Sequence, residues 1–345
     1  MTEDLRSLEF HKLEEVILTL GGEKYRAKQI YEWMHKHLAD DLDEMRNVPA
    51  KLKESLAKDY TIRKVHAEKV LTSGIDGTKK YLFSLFDGNI IESVFMRYEH
   101  GNSVCISSQV GCNMGCRFCA STIDGKVRDL SAGEMLAQIY GIMKDTGEKI
   151  SNVVVMGSGE PLDNYVNLMT FIRMLTDANG LNLSQRNLTV STCGIVPKIR
   201  ELAQEQLQMT LAISLHAASD EKRKALMPVA NRYSLDELIA ACRDYFDKTG
   251  RRITFEYAMV KGENDTEEDV AALSSLLKPL NCHVNLIPVN PIPERTYEQS
   301  DRTALLAFKN KLEKNHINVT IRREMGRDID GACGQLRRRY LADYQ

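Results

Sequence analysis

Apolar residues are spaced differently in successive stretches of this chain. Leu8, Leu13, Val16, Ile17 and Leu20 recur at the three- and four-residue spacing of a helix with one apolar face, and Gly21-Gly22 ends it. A second helix is predicted over residues 25–38, with Ile30, Trp33, Met34 and Leu38 on one stripe. A third, over 50–58, follows Pro49, a residue suited to a first helical turn. From residue 63 the character changes. Asp76-Gly77 and Asp87-Gly88 are hairpin signals, and residues 80–86 and 90–96 read as antiparallel strands. From residue 103 onward, strand candidates at 103–107, 151–156, 187–191, 209–214, 252–257 and 282–288 alternate with amphipathic stretches such as 132–144, 165–178, 235–248 and 267–277. Six such units predict an α/β fold, a parallel sheet with helices outside, and suit an incomplete (β/α)6 barrel better than a closed one of eight. The expected organisation is a helical N-terminal unit (1–62), an antiparallel hairpin extension (63–102), the partial barrel (103–320) and a C-terminal segment (321–345).

Composition narrows the class. The chain has 345 residues, 43% hydrophobic and 27% charged, as in a globular protein. No apolar run approaches the ~20 residues of a membrane span. The first fifteen residues carry five acidic side chains and no apolar core, unlike a signal peptide. Eight cysteines without such a signal point to a reducing, cytoplasmic setting and to metal or redox work. The net charge of −2 does not announce a nucleic-acid binder, but residues 309–339 hold nine Lys/Arg against four Asp/Glu. Arg322, Arg323 and Arg327 with Arg337, Arg338 and Arg339 suit phosphates or a solvated helix end, and charge alone does not choose between them. Arg26, Lys28, Lys36 and His37 add a basic side to the second helix.

The chemistry concentrates in Cys112, Cys116 and Cys119, spaced CxxxCxxC. A 4Fe–4S cluster normally takes four cysteines, so three leave one iron open. Zinc sites usually pair two CxxC units or mix Cys with His, and neither a histidine nor a fourth cysteine follows Cys119 at that spacing. The turn Met156-Gly157-Ser158-Gly159-Glu160-Pro161 follows the second barrel strand, where a carboxylate can bind an ammonium group and glycine lets backbone approach a ligand. Ser191-Thr192-Cys193-Gly194, Ser214-Leu215-His216 and Asn290-Pro291 follow later strands. Singly these are caps or turn formers; at matching strand ends they predict one pocket. Cys105, at the end of the first strand, and Cys333, flanked by glycines and near basic residues, have the setting of reactive thiols. Cys193, Cys242 and Cys282 read as structural.

The cysteine loop resembles the signature of the radical S-adenosylmethionine (SAM) superfamily. There SAM's amine and carboxylate fill the open iron, and an electron splits SAM to methionine and a 5′-deoxyadenosyl radical. With the run from Cys105 to Cys112, the Gly159-Glu160-Pro161 turn, Ser214-Leu215-His216 and Ala332-Cys333-Gly334-Gln335-Leu336, nearly the whole chain resembles the RlmN/Cfr family of radical SAM RNA adenine methyltransferases. The resemblance implies a 4Fe–4S cluster on Cys112, Cys116 and Cys119, and SAM contacts at Gly159, Glu160, Ser191, Ser214, Leu215, His216 and Asn290. It implies that Cys333 accepts a methyl group from one SAM and that a radical from a second SAM activates it for addition to an adenine carbon. Cys105 then resolves the RNA–protein link as a transient disulfide, and Glu92 takes the ring proton. Implied partners are 23S rRNA (adenosine 2503, carbon 2), tRNA (adenosine 37) and an external flavodoxin- or ferredoxin-like electron donor, with the enzyme a monomer and no membrane involved. Pro161 favours this carbon-2 branch over carbon-8 methylation of the same rRNA base, which confers antibiotic resistance. Ser158, Cys193 and Gly331 depart from the usual methionine, serine and alanine. A radical SAM enzyme acting on a peptide needs the cluster loop but neither Cys105 nor Cys333; a zinc-containing RNA-binding module would hold zinc instead of iron.

Overall fold

A computed structural model describes residues 2–292, 294–329 and 335–343. Its frame is one ten-stranded mixed sheet. The strands, in chain order, are β1 (His66–Thr72), β2 (Lys79–Ser84), β3 (Ile90–Tyr98), β4 (Gly101–Ile106), β5 (Asn152–Val155), β6 (Leu188–Thr192), β7 (Thr210–Ser214), β8 (Ile253–Met259), β9 (Cys282–Pro288) and β10 (Val319–Ile321). Spatial order follows chain order. Strands β1 to β4 pair antiparallel, and β4 to β10 pair parallel. The six expected parallel strands are present, and β10 adds a short seventh. The hairpin extension also has a strand, β1, that the apolar pattern does not signal: six of its seven residues are exposed, so no alternation marks it.

The parallel strands bury aliphatic residues at alternate positions, such as Val153 and Val155, Leu188 and Val190, Val284 and Leu286, because helices cover that face. Among these helices, α4 (Ala132–Thr146) and α8 (Leu235–Thr249) each open on a capping box, Ser131 with Glu134 and Ser234 with Glu237. The sequential helices between them are α5 (Tyr165–Thr176), α6 (Val196–Gln204) and α7 (Asp220–Leu226); α9 (Glu267–Leu277), α10 (Arg302–Lys314) and α11 (Gln335–Asp343) follow. Among the described residues no helix is long and apolar enough to cross a membrane.

The N-terminal helices α1 (Phe10–Thr19), α2 (Lys24–His35) and α3 (Ala50–Asp59) share one hydrophobic core with the barrel, in which Leu13, Ile30 and Met34 join Met135, Ile139 and Phe171. A buried polar joint fixes this docking. The Arg6 guanidinium donates to Arg63 O (2.7 Å), Ala39 O (2.8 Å) and Asp40 Oδ1 (2.9 Å), and lies over the Tyr140 ring. Opposite, His35 Nδ1 is 2.7 Å from the Tyr140 hydroxyl.

Helix α11 closes the other end. Leu336 joins Leu82 and Ile90 in a small apolar cluster against the hairpin extension. The basic C-terminal cluster is therefore split. Arg337 is buried, its Nε donating to Ile90 O at 2.8 Å, and Arg338 pairs with Asp124 and Glu294. Arg322, Arg323 and Arg327 stay exposed.

Candidate active site

Strand β4 runs into a short ribbon, Gln109–Gly111 with Lys126–Asp129, and the cysteine loop is the excursion between its two halves. Backbone bonds hold the loop: Cys112 N–H to Gly125 O (3.2 Å), Arg117 N–H to Leu226 O (2.9 Å) and Cys119 N–H to Cys116 O (3.1 Å). Thr122 Oγ1 caps the carbonyls of Cys116 and Cys119. Cys112, Cys116 and Cys119 line one cavity of about 270 Å3 at the carboxyl ends of the parallel strands. Burial pushes the Cys112 thiol up to about 12 and Cys116 well above the ordinary thiol value, and each neighbouring thiolate adds to the effect. Two buried thiols and the half-buried Cys119 on one cavity are a donor set for a positively charged iron cluster, which would offset both the burial and the mutual repulsion of the thiolates. The residues fit the group.

The same cavity takes in Gly159, Glu160, Ser191, Ser214, His216 and Asn290. Gly159 has φ +108°, and a Cβ there would stand 2.6 Å from Gln109 Cβ and 2.7 Å from its backbone nitrogen, so only glycine fits. Its neighbour Glu160 is buried, which raises the carboxyl's pKa; Cys193 N–H (2.7 Å, to Oε2) and Leu162 N–H (3.0 Å, to Oε1) oppose that rise and aim the group. His216 sits at φ +56°, its carbonyl accepting from Asn264 Nδ2 at 2.7 Å. Its Nδ1 accepts from Ala258 N–H at 2.9 Å, so the neutral ring carries its proton on Nε2. Leu215 is not among the residues lining the cavity; its side chain is in the barrel core.

Burial pushes both His216 and His35 down to about 3. Unfolded histidine titrates near 6.5. Below that pH the unfolded chain takes up protons that the folded rings refuse. Each ring's contribution is thus complete above pH 6.5 and lost as pH falls toward about 3, at about 1.4 kcal/mol per pH unit. Urea unfolding under anaerobic conditions at pH 7, 6 and 5 is expected to show this decline. His35→Gln should remove its own share of the slope, and an unchanged slope would contradict the assignment.

Cys105 lies beyond the first cavity. It is buried at the end of β4 and lines a second cavity of about 370 Å3 with Val94, Met96, Tyr98 and Gln335. Met156, Pro288, Asn290 and Arg322 line both cavities, which are therefore adjoining. Arg322, Arg323 and Arg327 give the second one a cationic mouth. Cys333 lies outside the described residues, as does Gly331. Arg327 and Gln335, described residues before and after it in the chain, both line the Cys105 cavity.

Glu92 is 2% exposed and lines neither cavity, but it lies two residues from Val94 on the same face of β3. Its Oε2 is 3.1 Å from Lys80 Nζ, a fully buried ammonium on β2, and its Oε1 accepts from the Arg337 N–H of α11 at 2.6 Å.

Sequence reasoning set Cys193 aside as structural. It lines the first cavity and packs in one cluster with Cys116, Met227 and Val229. Ser158, the other departure in this region, is buried with its hydroxyl 3.0 Å from that of Ser121. Cys242 and Cys282 are buried in the core as expected.

Known proteins resemble the chain along nearly its whole length. The profile of the radical SAM superfamily matches residues 106–274, and that of the ribosomal RNA large subunit methyltransferase N-terminal domain matches residues 3–62. A probable dual-specificity RNA methyltransferase RlmN from Lachnospira eligens is 61% identical over 340 residues, 99% of this chain and 97% of that protein. One of the same name from Lachnoclostridium phytofermentans is 56% identical, over 98% of this chain and 95% of that protein. A crystal structure of a radical SAM methyltransferase from Sphaerobacter thermophilus superposes with a TM-score of 0.92 at 41% identity, covering 96% of this chain and 98% of that one. Such identity over such coverage, with the cysteine loop and strand-end cavity in place, shows that the chain belongs to the RlmN family of radical SAM RNA methyltransferases, enzymes that use a 4Fe–4S cluster and SAM.

Proposed function

We propose that the enzyme methylates carbon 2 of adenosine 2503 in 23S rRNA and of adenosine 37 in tRNAs, through a methylated cysteine and two SAM molecules. One observation carries the reading: the cavity of the three cysteines adjoins the cavity of Cys105 and shares a wall with it. A radical made in one chamber is then close to a methyl group and RNA held in the next. A ring carbon bearing hydrogen is not nucleophilic, so polar attack on SAM fails and a pair of reactive thiols is needed.

Cys112, Cys116 and Cys119 would hold the cluster. Gly159 gives backbone access, Glu160 grips the SAM ammonium, and Ser191, Ser214, His216, Asn290 and the Leu215 backbone contact the rest. When bound, the cluster and SAM supply a 5′-deoxyadenosyl radical, given one electron from an external flavodoxin- or ferredoxin-like donor. Cys333 carries the methyl group taken from the first SAM, and the carbon radical formed on it adds to the adenine ring. The radical adduct gives up one electron, equal to the one the donor supplied, as Glu92 takes the ring proton. Cys105 attacks the sulfur of Cys333, a disulfide forms, and the released carbon takes up a proton as the methylated RNA leaves. A cytoplasmic reductant restores both thiols. Arg322, Arg323 and Arg327 hold RNA phosphates at the mouth, and the target base is unstacked to enter, as in other enzymes that act on a base. A monomer suffices for this chemistry.

Cys105→Ala tests the sequence of events. SAM cleavage is expected to continue while RNA accumulates covalently on the protein, visible as a band that survives denaturing electrophoresis. Free methylated RNA at the wild-type rate would remove Cys105 from the scheme. Pro161 supports carbon 2; carbon-8 methylation remains the alternative product, distinguished by the nucleoside formed.

A further inference from the structure

No step assigned above uses Glu256, in the middle of β8. It pairs in register with Ser214 on β7 and Asn285 on β9, and Asn285 pairs with Thr320 on β10. One polar rung thus crosses four parallel strands. Asn285 Nδ2 donates to Glu256 Oε1 at 2.9 Å, and Thr320 Oγ1 donates to Asn285 Oδ1 at 2.7 Å. The carboxylate is braced from behind. Its other oxygen, Oε2, has no hydrogen-bond partner, although the residue is only 4% exposed and lines the cavity of Cys116, Glu160 and Ser214. Arg322, a cation lining the same cavity, acts on the carboxylate through its charge without hydrogen-bonding Oε2. A buried acceptor without a partner is costly, so a braced carboxylate with one oxygen turned into a ligand cavity is built for a donor that arrives with the ligand.

The position along the cavity selects which donor. Glu160 follows β5, and β8 lies three strand intervals away, roughly 14 Å at 4.7–4.9 Å per interval. With SAM's amino-acid end at Glu160, the part of the same cavity lined by Ser214 and Glu256 is left for its nucleoside. A carboxylate is a fitting acceptor for vicinal ribose hydroxyls, as in dinucleotide-binding folds. We propose that Glu256 Oε2 accepts hydrogen bonds from the ribose hydroxyls of SAM, held in register by Asn285 and Thr320. The inference rests on this cavity being the SAM site.

The test is equilibrium dialysis of the anaerobically reconstituted, cluster-loaded protein against SAM and against its 2′,3′-dideoxyribose analogue. Glu256→Met is matched in length and lacks the acceptor. It is expected to weaken SAM binding about ten-fold with iron and sulfide content unchanged. Wild type should lose about the same factor with the dideoxy analogue, and the variant should lose little more. SAM binding within two-fold of wild type, or two losses that multiply, overturns the inference. Where the methionine variant fails to take up iron, the same cycle is run with Glu256→Gln under the same criteria. Glu160→Gln separates the two readings. If it too leaves SAM binding unchanged, the placement of SAM in this cavity fails; if it weakens binding while Glu256→Met does not, only the present inference fails.

Discussion

Replacing Lys80 by methionine is expected to destabilise the fold by about 3–5 kcal/mol, the cost of breaking a buried ion pair from one side. Lys80 is fully buried and Glu92 is 2% exposed, with nitrogen and oxygen 3.1 Å apart. Met conserves the aliphatic length, so little packing is lost. What remains is a buried carboxylate whose charge the ammonium no longer balances. The effect reaches beyond the pair because Glu92 Oε1 also accepts from the Arg337 N–H, which ties α11 to the sheet. Urea midpoints at unchanged slope measure the loss. Lys80→Met combined with Glu92→Gln should recover much of it, since the carboxylate charge that faced the ammonium is gone. Equal stability of the single and double variants would mean that packing, and not charge, sets the cost.

Gly111→Ala is expected to abolish cluster assembly. Gly111 has φ +75°, and a Cβ there would stand 1.9 Å from the carbonyl oxygen of Gly125 and 3.0 Å from its carbon. Both are backbone atoms and cannot rotate away. The methyl group has to part the ribbon where Cys112 N–H bonds Gly125 O, so it displaces the first cluster ligand directly. Iron and inorganic sulfide should fall from about four of each per chain to near none. Gly88→Ala is the control. Its φ is +79°, nearly the same, but nothing lies within 4 Å of the added Cβ. It isolates the backbone strain, about 1–2 kcal/mol, and should leave iron content unchanged. Equal iron loss in both would assign the effect to strain and not to the ribbon.

The residues legible from sequence are those whose pattern is local. Six parallel strands announce themselves by the aliphatic residues they bury under the helices, and the cysteine spacing lies within eight residues. Strand β1 is solvated, so its side chains carry no alternation. Strand β10 has three residues, too few for a period. Leu215 looks like a pocket residue from its place between Ser214 and His216. The chain turns sharply there: Leu215 and His216 N–H both donate to Glu256 O (3.0 and 3.3 Å), and Leu215 is turned into the core. The basic C-terminal residues form one run in sequence, but helix α11 buries Arg337 while Arg322 and Arg323 face the Cys105 cavity. Glu256 is one carboxylate among many until the register of β7 to β10 places it in a polar rung. Long-range pairing decides each of these, and no local pattern encodes it.

The central claim is that a carbon-2 methyl is delivered to adenosine from a cluster-bearing cavity. Nucleoside mass spectrometry tests it most directly. The anaerobically reconstituted protein, a reductant and SAM are incubated with 23S rRNA fragments and with tRNA, and the digested RNA is compared with authentic standards. The account predicts 2-methyladenosine at adenosine 2503 and adenosine 37. A product that co-elutes with 8-methyladenosine, or SAM cleavage with no methyladenosine in either RNA, would contradict it.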